Sequence, residues 1–215
     1  GVAYDGNGNW VASGIYIGET TTLYSSDGIN WSLKAIGGSP RLESVAYDSA
    51  NARCISPDVS MTNWYHSDTY NGSWSYHSGM AGGPYSSVTF GGDRVVGVGG
   101  NTGGTDDNLG FITSGTSWVE STTNPTSGSD SYFESAYDGS LVWVVVGSIA
   151  AYSTDSAVNW TSAADIGTGL LMLSVTYDSK SERFVAGCAD GNIKYSDDGG
   201  NNWTDITTGT GMDIW

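Results

Sequence analysis

Basic residues are scarce: seven Lys and Arg stand against 23 Asp and Glu in 215 residues, a formal net charge of −16. Nucleic acid and anionic membranes are both held through positive surface, so neither is a partner class for this chain. Cysteine is confined to Cys54 and Cys188, which excludes a disulfide framework and a four-thiolate zinc site. No segment approaches the ~18 continuous apolar residues of a membrane-spanning helix. The start, Gly1-Val2-Ala3-Tyr4, has no basic or apolar leader and is read as a processed chain or a piece of a longer one. Charged residues of both signs make only 14%, against a typical ~25%. In their place stand 32 Gly, nine Trp and 13 Tyr, turn formers and large aromatics that point to β-structure. With 38% of residues hydrophobic, there is enough to bury a core.

High Gly together with high Trp calls for a search for repeats. One string recurs as Ser25-Ser26-Asp27-Gly28-Ile29-Asn30-Trp31, as Ser153-Thr154-Asp155-Ser156-Ala157-Val158-Asn159-Trp160, and most completely from Ser196 through Asp198 and Gly200 to Trp203. Weaker copies end at Trp74 and Trp118. A second string precedes each: Val2 to Asp5, Val45 to Asp48, Val88 to Gly91, Ser135 to Asp138 and Val175 to Asp178. Its aromatic recurs at spacings of 43, 43, 47 and 40 residues, and at 42 if the two ends are joined. The chain is therefore five repeats in one domain, 1–215.

Each repeat reads as four short strands. In the last, they are 174–177, 183–187, 192–196 and 202–206, with an Asx turn at Asp178. Second strands such as Val142-Trp143-Val144-Val145-Val146 are apolar on both faces, as befits a strand sandwiched between sheets. Four-stranded sheets at a period of 40 to 50 residues make a β-propeller. The expected fold is all-β: a five-bladed propeller whose ring closes between the N- and C-terminal segments.

The Ser-x-Asp-x-Gly-x-x-Trp string resembles the Asp-box (BNR repeat) of sialidases and of photosystem-assembly-factor-like propellers. Trp31's copy is one residue short, Trp160's has Ala157 where Gly is expected, and the copies ending at Trp74 and Trp118 depart from the Asp pattern. The motif is a folding device: the carboxylate caps backbone N–H groups, Gly supplies a positive φ, and Trp fills the space between blades. Ser25, Asp27, Ser153, Asp155, Ser196, Asp198, Gly200 and the five tryptophans are thus structural. The sequons at Asn30, Asn71, Asn159 and Asn202 coincide with these hairpins and are by-products of the repeat. The resemblance implies that function lies on the opposite face.

Sialidase-like catalysis, implied by the same resemblance, needs an arginine triad. Of four arginines, Arg53, Arg94 and Arg183 start second strands, level with Trp10 and Trp143, a packing or cation–π position. Cys54, level with Val11, Val144 and Phe184, reads as a small hydrophobe. His66 and His77 flank one hairpin without zinc-site spacing. No catalytic residue, metal site or cofactor is assigned. Repeat lengths differ most between second and third strands, and loops are where blades differ in function. On that face the candidate ligand residues are Tyr16, Glu19, Asp58, Asn63, Trp64, Asp106, Asp107, Asp130 and Tyr132. Aromatic platforms beside carboxylates and amides suit sugars; the same aromatics could equally fill inter-blade space. The expected role is a non-catalytic recognition module, extracellular or on a virion, for a glycan or cell-surface ligand. The alternative is a structural subunit of a fibre, filament or phage appendage that contacts neighbouring copies.

Overall fold

The computed structural model describes residues 1–16, 19–38, 40–81, 84–100, 109–125, 130–164, 166, 170–189 and 191–207. Their regular structure consists of five four-stranded antiparallel sheets, each built from four consecutive strands. Blade 1 contains β1 (Val2–Tyr4), β2 (Trp10–Tyr16), β3 (Glu19–Ser25) and β4 (Ser32–Ala35). Blade 2 contains β5 (Ala46–Asp48), β6 (Arg53–Asp58), β7 (Asn63–Ser67) and β8 (Ser75–Ser78). Blade 3 runs through β9 (Ser87–Gly91), β10 (Arg94–Val98), β11 (Leu109–Ile112) and β12 (Val119–Glu120). Blade 4 runs through β13 (Tyr132–Tyr137), β14 (Trp143–Gly147), β15 (Ala150–Ser153) and β16 (Thr161–Ser162). Blade 5 is β17 (Met172–Asp178), β18 (Arg183–Cys188), β19 (Asn192–Ser196) and β20 (Thr204–Thr207). The first strands adjoin in series, β1 to β5, β5 to β9, β9 to β13 and β13 to β17. This is the propeller arrangement that the repeat predicts. Closure through residues 208–215 lies outside the described residues.

The core lies in the seams. Val96, Val98 and Phe111 of blade 3 bury against Trp143, Val145 and Ala151 of blade 4. Val144 and Val146 of blade 4 meet Val175, Phe184 and Ala186 of blade 5. Ala46, Ile55 and Trp64 of blade 2 receive Val88, Val95 and Ile112 of blade 3, and Val11 of blade 1 receives Val45 and Cys54 of blade 2. Each blade thus shows a front face to its successor and a back face to its predecessor. Second strands serve both seams, so β6 and β14 are buried along their whole length.

Register corrects one alignment made from sequence. Trp10 and Trp143 stand opposite Tyr4 and Tyr137, and also opposite Ser25 and Ser153. Cys54 and Phe184 occupy that place in blades 2 and 5. The arginines pair one residue later, Arg53 with Asp48, Arg94 with Gly91 and Arg183 with Asp178. The cause is the first turn, which encloses five residues between these partners in blades 1 and 4 and six in blades 2 and 5. A one-residue shift reverses the face. The tryptophans therefore lie on the back faces of their blades, Trp143 against blade 3, and the arginines on the front faces, and Val11 and Val144 fall one place beyond Cys54.

Two of those arginines tie seams together. Arg53 Nε pairs with Asp48 at 3.0 Å while its Nη1 donates to the Gly115 carbonyl of blade 3. Arg94 Nη1 donates to the Ser156 carbonyl of blade 4, and its guanidinium lies 4.8 Å from the Phe111 ring. Arg183 lies 4.8 Å from Tyr195 and pairs with Asp197. The cation–π expectation thus holds for two of three.

Candidate functional site

On one face the Ser-Asp-Trp hairpins close blades 1, 4 and 5 with the same set of bonds. Asp27 Oδ1 accepts from the N–H groups of Ile29 and Asn30 at 2.8 and 2.7 Å and from Ser25 Oγ at 2.9 Å. These donors, the Asn30 backbone first, hold the Asp27 carboxyl well below the usual carboxylate range. Asp155 and Asp198 accept from Asn159 and Asn202 in the same way. Burial pushes these two carboxyls up, but the hydrogen bonds win and their pKa values are lowered. In these three hairpins the Trp Nε1 donates back, Trp31 to Gly28, Trp160 to Ala157 and Trp203 to Gly200. The required left-handed residue is Gly28 (φ 73°) in blade 1 and Gly200 (φ 92°) in blade 5, but Ala157 (φ 66°) in blade 4.

The tryptophans enter the preceding blade. Trp74 Nε1 donates to Thr22 Oγ1 of blade 1 at 3.1 Å. Trp118 meets Trp64 of blade 2 edge-on at 6.2 Å, Trp160 donates to Ser121 Oγ of blade 3 at 3.1 Å, and Trp203 packs on the blade 4 cluster. Trp31 is the exception at 39% exposure. The hairpins are thus occupied with structure.

On the opposite face most of the sequence-derived candidates are also occupied. Trp64 and Tyr132 are fully buried, one in the seam between blades 2 and 3 and the other between blades 3 and 4. Neither ring offers a face to a sugar, because strand alternation points both into seams. Asp58 is buried and accepts from the Arg41 and Ser60 N–H groups at 3.1 and 3.0 Å and from Ser60 Oγ at 2.6 Å, so it organises its own loop. Asn63 accepts from the Tyr76 hydroxyl at 3.1 Å. Asp130 receives Ser148 Oγ at 3.4 Å. Tyr16 and Glu19 are paired across the end of the β2–β3 hairpin. Asp106 and Asp107 lie outside the described residues.

A further concavity among the described residues lies where first strands adjoin. A cavity of about 340 Å³ is lined by β9, β13 and β17, including Thr89, Phe90, Tyr137, Tyr177 and Glu134. Inner strands are bonded across blades here: Ser44 Oγ accepts from Val88 N–H at 3.1 Å, and Glu134 Oε2 accepts from Val175 N–H at 3.1 Å. Both side chains stand three residues before the first-strand aromatic, a position held by Gly1, Ser44, Ser87, Glu134 and Ser174. That departure from a small residue is the signal sequence reading missed. Burial raises the Glu134 pKa, partly offset by the Val175 N–H. A desolvated carboxyl accepts hydrogen bonds from hydroxyl or ammonium groups.

His66 Nδ1 and His77 Nε2 lie 2.7 Å apart at the outer end of the blade 2 front face, with His77 stacked on Trp64. Among the described residues no group of three or more His, Cys, Asp or Glu could hold a metal ion. Both cysteines are buried and neither forms a disulfide, and burial pushes the Cys54 thiol up to about 12.

No family model and no curated protein matches the sequence. Among solved structures, the chain is similar to a GH74 xyloglucanase from Xanthomonas campestris, at 16% identity and TM-score 0.72, covering 97% of this chain and 38% of that one. It is similar to YCF48 bound to D1 peptide, at 14% identity and TM-score 0.68, covering 98% and 69%. It is also similar to the WD40 beta propeller domain of Doa1, at 15% identity and TM-score 0.63, covering 100% and 66%. The chain spans little more than a third of the xyloglucanase and about two thirds of the other two. Likenesses at such identities show the fold, and all three place these five sheets in a β-propeller.

Proposed function

We propose that this is an Asp-box propeller acting as a non-catalytic recognition module, extracellular or on a virion, that holds a hydroxyl-rich glycan in the channel framed by blades 3, 4 and 5. The observation that supports this reading is Glu134, a half-buried carboxyl in a cavity otherwise walled by neutral side chains and backbone. Neutral sugars bind through acceptors of this kind, and a surface of net charge −16 repels anionic ligands. Binding without turnover fits the fate of the arginines. Three serve seams or hairpins, and Arg41 pairs with Glu43 at 2.9 Å. Among the neighbours, YCF48 is bound to D1 peptide, so a peptide panel belongs beside the glycans in any screen.

The test is a glycan array followed by calorimetry on the strongest hit with Glu134→Ala and Glu134→Gln. Binding by the wild type, weakened at least tenfold by Glu134→Ala, is the expected outcome. An empty array, or two variants that bind like wild type, overturns the channel reading, and hydrolysis of the bound glycan overturns the non-catalytic one.

A further inference from the structure

Four seams follow one rule, and one flank of the molecule lacks the partner that rule supplies. In each seam the back face of a blade, together with its hairpin Trp, buries into the front face of the blade before it. The back face of blade 1 is the set Val2, Tyr4, Leu23 and Leu33, which strand pairing places on one side. Val2 is 60% and Leu33 67% exposed, and Trp31 beside them is 39% exposed. The equivalents of Val2 in blades 2, 3 and 5, Val45, Val88 and Val175, are all buried. The front face of blade 5 is open in the same way. Thr176 and Ile206 are exposed, and a cavity of about 500 Å³ lies over Ser174, Thr176, Val185, Gly187 and Ile193, with Glu134 also in its lining.

We infer that these two faces are a docking surface for about two further blades of the same repeat, carried on the same polypeptide. Continuity with the four existing seams gives the chemistry of the occupant: an apolar back face with a hairpin Trp for blade 5, and an apolar front slot for Trp31 of blade 1. Its size comes from the likeness to known propellers. All 215 residues superpose on only 66% of the Doa1 propeller domain and 98% of them on 69% of YCF48, so five blades fill about two thirds of such a circle. An exposed apolar flank of this kind in a soluble protein marks an interface.

The experiment uses a thiol reporter, since Cys54 and Cys188 are buried. Leu33→Cys is introduced into the 215-residue chain and into a chain extended after Trp215 by two further copies of residues 174–215. The reporter should react at the rate of a free thiol in the first, which stays monomeric at all concentrations, and at least tenfold more slowly in the extended chain. In parallel, the double variant Val2→Cys, Ser174→Cys is oxidised in the 215-residue chain. Those positions correspond to the bonded pairs Ser44 with Val88 and Glu134 with Val175. A bridge within the monomer means that five blades close on themselves and overturns the inference. So does a concentration-dependent dimer that protects the reporter, or an extended chain that folds and leaves it reactive. Should the extended chain not fold, the 215-residue chain decides alone: an open, unbridged monomer supports the inference, and a bridge or dimer ends it. The ligand reading is decided by glycan binding to Glu134→Ala and this one by the Leu33→Cys thiol on blade 1, so the two fail on separate measurements.

Discussion

Trp31 and Trp160 close hairpins with the same hydrogen bonds and meet different fates, one 39% exposed and the other 4%. The Ser-Asp-Asn network is intact around both. Local chemistry therefore shapes the hairpin, and the preceding blade decides what the hairpin contributes to stability. Trp160 has the blade 3 wall of Val96, Val98 and Phe111 against it; Trp31 has no such wall among the described residues of its cluster neighbours. The comparison separates the motif as a turn from the motif as a plug.

The sharpest break of this comparison is Trp160→Ala, which removes a buried indole and two Nε1 bonds and is expected to cost about 3–5 kcal/mol in denaturant unfolding. Gly200→Ala comes next, at about 2–4 kcal/mol. A Cβ there would lie 2.4 Å from Val144 Cγ2, on a backbone at φ 92°. Trp31→Ala should cost about 1–2 kcal/mol, less than half of the Trp160 effect; equal costs would abolish the distinction between turn and plug. Ala157→Gly should stabilise by about 0.5–1 kcal/mol, because it relieves a left-handed alanine at some cost in unfolded-chain entropy.

The smallest effect depends on pH. The Glu134 pKa is raised in the folded state, so folding favours its protonated form. The corresponding stability is complete below the unfolded value of about 4.3 and is lost as pH rises through the folded value. Glu134→Gln should therefore raise the melting midpoint slightly at pH 7 and not at pH 4. A gain of the same size at both would detach the effect from titration. The hairpin carboxylates behave oppositely. Their lowered values contribute stability above about pH 4 that fades on acidification toward the folded values.

The repeat made the fold legible. Strands three of blade 5, Asn192–Ser196, and the second strand's start at Arg183 fall where the string spacing puts them, since period-2 apolar runs and Gly-Asp turns are local signals. The hairpin tryptophans were legible for the same reason. The ligand face was not, because an aromatic such as Trp64 or Tyr132 reads alike in sequence whether it points into a seam or out of a loop. Only register decides, and register depends on first-turn lengths that differ by one residue between blades. Glu134 was legible in principle as the carboxylate in a column of Ser and Gly. It escaped notice because attention to loop length passes over the strands that frame the channel.

The cross-blade bonds at the channel span 44 residues from Ser44 to Val88 and 41 from Glu134 to Val175, and the arginine ties span 62. These ties among the described residues join each blade to its neighbour in the chain, so ordering can proceed along it as a zipper. Such a polypeptide can acquire structure one blade at a time as it leaves the ribosome. Under mechanical load from one end it should yield in steps of about one repeat, the reverse of that order.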